Sequence, residues 1–113
     1  MMQVQEKVKE IKQSFRQMMD GVISKSMRDK GVAYKLNWGA TLPRLQAKAK
    51  EIGKDYDLAI AIWKEDVREC KILATMIMPP DKVLPEVIDI WMEQTTSQEV
   101  AEQAAFNLYQ YLP

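Results

Sequence analysis

Two side chains near the C-terminus and four cations further back are the residues whose types and spacing could do chemistry. Gln98 and Glu102 stand four apart, so on a helix they point the same way. On a wheel of 100° per residue they fall, with Tyr109, within about 40° of one another. That direction borders an apolar stripe of Ala101, Ala104, Ala105, Leu108 and Leu112. A carboxylate at such a border is partly desolvated, which suits an acid, a base or an electrostatic group aimed into a groove. The plain alternative is a solvated surface glutamate. The cations are Arg44 and Lys48, at i,i+4, and Arg68 and Lys71, at i,i+3. If their two helices line one concave wall, all four can track a phosphate backbone. Otherwise they serve solubility, with Glu51 and Glu69 as local partners.

Composition removes much other chemistry. The 113 residues include no His and one Cys, Cys70. His-based triads, His metal ligands, an internal disulfide and a Cys-rich zinc site are therefore excluded. Four Gly, with neither a GxGxxG nor a GxxxxGK[ST] run, argue against a phosphate cradle. No cofactor and no metal is expected. A chain of this length is a single domain, residues 1–113, and about two-thirds of its unfolded surface would be buried. Cys70 is expected as a small buried apolar residue, and the eight Met as gap-fillers between helices. The opening MMQVQEKVKEIK has no apolar core of a signal peptide. No apolar run approaches the ~18 residues of a membrane span. The expectation is a cytoplasmic protein with no membrane partner.

Charge is zero overall but unevenly placed. Residues 1–50 carry eleven Lys and Arg against four Asp and Glu, and residues 51–113 carry five against twelve. Such asymmetry fits a nucleic-acid or acidic partner for the basic half, or simply two solvated surfaces that differ.

The elements that must position these residues read as helices throughout. Val4, Val8, Ile11, Phe15, Met18 and Val22 recur at alternating spacings of four and three, which predicts a helix over 3–20. A short helix over 24–29 is also compatible with the pattern. Thr41 caps a second helix, with Pro43 in its first turn and Gly53 after its end. Its stripe is Leu42, Leu45, Ala49 and Ile52. A third helix is predicted over 55–64 and a fourth over 65–78, broken by Pro79-Pro80. Pro85 opens a fifth, through Met92. Thr96-x-x-Glu99 reads as a capping box for a sixth, over 97–111. No segment alternates with period two, so no sheet is predicted.

Ile60-Ala-Ile-Trp-Lys-Glu65 returns as Ile88-Asp-Ile-Trp-Met-Glu93, offset by 28. Each copy ends one helix and precedes another, as in helix pairs that stack into a solenoid. Trp38, Trp63 and Trp91 are expected in helix packing, or else as base-stacking surfaces. The last helix runs into NLYQYLP with no polar cap. Phe106, Tyr109, Tyr111 and Leu112 therefore mark an open end. A longer array, a second subunit in a homodimer, or rings folded back on the fifth helix would cover it.

The string YKLNWGATLPRLQAKAKEIGKDYDLAIAIWKEDVRECKILATMIMPPDKV and the later EVAEQAAFNL resemble the AlkD-like DNA alkylation repair family. The resemblance covers nearly the whole chain and the N-terminal part of typical members. It implies an all-α fold, an α-α superhelix of HEAT-like helix-pair repeats with about six helices here. It implies duplex DNA in a basic concave groove, and release of N3- or N7-alkylated purines as free bases by a DNA glycosylase without a cofactor. In that family a carboxylate stabilises the positive charge that grows on the deoxyribose, and aromatic faces support it. The family's Trp, and its catalytic Asp four residues later, fall on Gln98 and Glu102. The alternative implied function is a HEAT-like module that binds DNA or protein without catalysis.

Overall fold

The structure, a computed structural model, describes residues 3–15 and 40–113. These form six α-helices and a closing 3₁₀ turn, with no β-strand among the described residues. The helices are α1 (Val4–Phe15), α2 (Leu42–Ile52), α3 (Tyr56–Trp63), α4 (Arg68–Ile77), α5 (Pro85–Gln94) and α6 (Gln98–Asn107), and the 3₁₀ turn spans Tyr109–Tyr111. The fold is all-α, as the periodicity predicts. The expected extension of the first helix to residue 20, the short helix over 24–29, and Trp38 lie outside the described residues.

Local chemistry explains most boundaries. In α1 the expected stripe is buried at Val8, Ile11 and Phe15. Pro43 and Pro85 sit in the first turns of α2 and α5, where a missing N–H costs nothing. Gly53 ends α2 at φ +79°, a left-handed value that suits a residue without Cβ, and its N–H returns to Ala49 O at 2.8 Å. Asp55 caps α3 by accepting from Leu58 N at 3.1 Å. The loop after Gly53 also serves α4. Pro79 and Pro80 have no N–H, and two carbonyls near the end of α4 instead accept from Lys54 Nζ (Met76 O, 2.8 Å) and Asp55 N (Ile77 O, 2.9 Å).

Three boundaries differ from the sequence-based expectation. Helix α4 starts at Arg68 rather than at 65, because Val67 is extended (φ −128°, ψ 124°). Glu65 instead lies in the preceding turn, where it accepts from Lys12 Nζ at 2.7 Å. The hydrogen bond from Lys12, the stronger influence over burial, holds that ammonium above its ordinary pKa. Helix α6 ends at Asn107 and tightens into the 3₁₀ turn. Its cap is Ser97, whose Oγ accepts from Val100 N at 3.3 Å, so Thr96 and Glu99 do not form the expected box. Ser97→Ala is therefore expected to cost about 1 kcal/mol in urea unfolding. Thr96→Ala, at an exposed position, should stay within about 0.5 kcal/mol.

In chain order the helices fall into the sequence pairs α1–α2, α3–α4 and α5–α6, of which α3 and α4 pack closely on each other. Second members touch along a row, α2 on α4 and α4 on α6, while α1 packs on α3 and α3 on α4. The repeated Trp residues join the first members α3 and α5: Trp63 and Trp91 stack with ring centroids 4.4 Å apart at 10°. Helix α4 is the centre, and every residue of it except Lys71 is buried. The α6 stripe is rotated from expectation. Val100, Ala104 and Leu108 are buried, whereas Ala101 and Ala105 are exposed. Among the described residues the large exposed apolar side chains, Leu84, Ile90, Met92, Phe106 and Tyr111, all lie on or beside α5 and α6. Phe106 and Tyr111 thus do not fold back onto α5, while Tyr109 and Leu112 pack partly against the core.

Candidate functional site

The expected cation wall separates into three environments. Arg68, proposed for a phosphate, has a side chain only 2 % exposed and is fully engaged inside the protein. Its Nε and Nη2 donate to the two oxygens of Glu99 at 2.8 and 2.9 Å, a bidentate fork. Its Nη1 donates to Ala40 O at 2.6 Å and to Glu69 Oε2 at 2.8 Å. Glu69, itself 0 % exposed, also accepts from Ala40 N at 3.2 Å. Burial disfavours the guanidinium charge, but the hydrogen bonds and charges of Glu99 and Glu69 outweigh it and hold Arg68 above its ordinary pKa. Arg68 is thus a buried tie between the first turns of α4 and α6, with no atom to spare for DNA. Glu69 is likewise no solvated partner.

Lys71 is half-buried. Its Nζ donates to Trp63 O at 2.8 Å and lies 4.6 Å from the centroid of a Trp63 ring. Burial lowers its pKa. Lys48 is mostly covered and faces Glu51 at 3.8 Å, in a hollow between α1 and α2. Arg44 is exposed, as are Lys50 and Lys54. The open basic surface is therefore α2 and the loop after it, not α4.

Gln98 and Glu102 do share a direction. Gln98 Nε2 donates to Glu102 Oε1 at 2.9 Å, at an exposed position. The border they were expected to share moves with the rotated α6 stripe, and the Glu102 carboxylate stands in solvent rather than in a groove. Nor is Cys70 a nucleophile: burial, aided by Glu65, pushes its thiol from 9.0 to about 12. Trp63 and Trp91 are both core residues, 2 % exposed.

A groove that sequence reading missed lies across the row of second helices. It encloses about 470 Å³. One wall is Gln46 and Ala49 of α2 with Lys54 beyond it; Met76 and Pro80 lie at the end of α4. The facing wall is Phe106 and Asn107 of α6 with Tyr111. Asn107 is held in place by donating from Nδ2 to Thr75 Oγ1 (3.2 Å) and to Gln103 Oε1 (3.0 Å). Its only signal in the sequence was the uncapped aromatic end, because the facing side chains come from segments some sixty residues apart.

No family model, curated protein or solved structure matches the chain. Among the described residues no helix is long and apolar enough to cross a membrane.

Proposed function

We propose that this chain is a HEAT-like helical-repeat module of the AlkD-like DNA alkylation repair class that holds duplex DNA without excising a base. In this reading the helix pairs curve into an α-α superhelix and α2 meets the phosphates. The observation that carries it is the segregation of exposed charge. Arg44 and Lys50 stand open on α2, and Lys54, whose Nζ also donates to Met76 O, is exposed on the loop after it. Residues 83–113 hold no cation and four exposed acids, Glu86, Asp89, Glu93 and Glu102, with the fifth, Glu99, tied to Arg68. A phosphate backbone is attracted to the first surface and repelled by the second. Glu102 lies on the repelling side, bonded to Gln98.

A second reading, a glycosylase with Glu102 as the carboxylate beside the sugar, draws support from the shared direction of Gln98 and Glu102 on α6. One experiment separates the two. Methylated duplex DNA is incubated with protein in excess, and free alkylated purine is measured beside binding. The module reading expects no release above the spontaneous rate. It expects affinity to fall with salt, and Arg44→Ala with Lys50→Ala to reduce the log–log slope by about 2. Release that Glu102→Gln abolishes would establish the glycosylase instead. Binding that is flat in salt would overturn both.

A further inference from the structure

We propose that the groove between α2 and α6 receives one unpaired nucleotide of the bound DNA, its base against Phe106 and Tyr111 and its phosphate toward Lys50 and Lys54. The proposal rests on the reading of this chain as a duplex-DNA-binding module and adds what the module distinguishes. Four observations lead to it.

The first is the pair of rings. Phe106 is 65 % exposed and Tyr111 61 % exposed, yet both line the groove. Large rings left this open carry an apolar face with nothing on it, and a nucleobase offers a π-face of either purine or pyrimidine type. The second is size. A volume of about 470 Å³ is within the usual range for a small-molecule site, roughly 300–1,000 Å³. The third is charge. Lys54 lines the facing wall, and Lys50 follows Ala49 at four residues from Gln46, so it flanks the same side of α2. No acid lines the groove among the described residues. The fourth is polar content at the edges. The amide of Gln46 offers donors and an acceptor, and Asn107, whose Nδ2 is spent on Thr75 and Gln103, offers its Oδ1 as an acceptor, which suits the edge of an unpaired base. Asn107 is already oriented by Thr75 and Gln103. A fully paired duplex keeps its bases stacked and cannot use these groups, so the groove would add affinity only where a base is free.

The test uses the full chain and two labelled DNA probes in fluorescence anisotropy: a paired duplex, and the same duplex with one bulged adenine. The bulged probe is expected to bind at least tenfold tighter, the lower part of the range for a single base stacked on an aromatic side chain. Phe106→Ala and Tyr111→Ala should each reduce that preference about fivefold or more and leave paired-duplex affinity unchanged. Phe106→Tyr keeps a ring and should keep the preference. Both positions are exposed, so unfolding midpoints should match the parent protein and show the variants are folded. Equal affinity for the two probes would overturn the groove assignment while duplex binding stands. No binding of either probe would overturn the DNA reading as well. Concentration-dependent self-association that Phe106→Ala abolishes would assign the rings to a contact between copies, and that too would overturn the proposal.

Discussion

Arg68→Ala is expected to lower the unfolding free energy by about 3–5 kcal/mol, the usual cost of removing one partner from a buried ion pair. The guanidinium makes four hydrogen bonds inside the protein, two with Glu99 and, through Nη1, one each with Glu69 and Ala40 O, and Glu69 also accepts from Ala40 N. Alanine would leave a void beside Glu69, at 0 % exposure, and remove the charge that Arg68 sets against it. It would also strand the Ala40 carbonyl. At a slope of ~1.5 kcal/mol/M for urea, the midpoint should fall by about 2 M or more. The triple change of Arg68 to Met, Glu69 to Gln and Glu99 to Leu should recover much of the loss, because desolvating charge offsets most of what the pairing contributes. An Arg68→Ala penalty below about 1 kcal/mol would mean that the network is open to water and that Arg68 behaves as the surface cation its helical spacing suggests.

Trp63→Ala should cost about 3–5 kcal/mol, as large-to-small changes of buried aromatics do. Trp63 is the joint between consecutive first helices. It stacks on Trp91, donates from Nε1 to Gln94 Oε1 at 2.8 Å, and supports Lys71 on its face. Trp63→Phe should be milder, since a ring remains against Trp91 while the indole hydrogen bond is lost. A double-mutant cycle of Trp63 and Trp91 to Ala, followed by urea unfolding, is expected to show coupling of about 0.5–1.5 kcal/mol. Strictly additive losses would refute the stack as the link between α3 and α5. The near-ultraviolet circular dichroism of the stacked indoles should disappear in either single variant.

The same repeated hexapeptide shows where pattern ends and packing begins. Ile62 and Ile90 occupy equivalent places in the two copies, yet Ile62 is 0 % exposed and Ile90 is 48 % exposed. The difference lies in the neighbours. Helix α3 has α1 packed against it, whereas no helix among the described residues packs closely over Ile90 of α5. Periodicity reports which face of a helix is apolar, and it is silent on whether another helix will come to cover that face.

Sequence alone determined the all-α class, most helix positions, and the role of several punctuating residues. Gly53, Pro43, Pro85 and the Pro79-Pro80 break act through their own backbone, so their effects are local and readable. The Trp63 and Trp91 echo, the buried Cys70 and the shared direction of Gln98 and Glu102 were legible for the same reason. Only the tertiary structure decided what the charges do. Arg68 and Glu69 read as a surface cation and its local partner, and Glu99 as half of a capping box, and the packing of α4 against α6 turns them into a buried network. The groove likewise exists only because α2, α4 and α6 lie side by side. A charge's role is set by its distance to other charges and to water, and those distances arise from contacts between segments far apart in the chain.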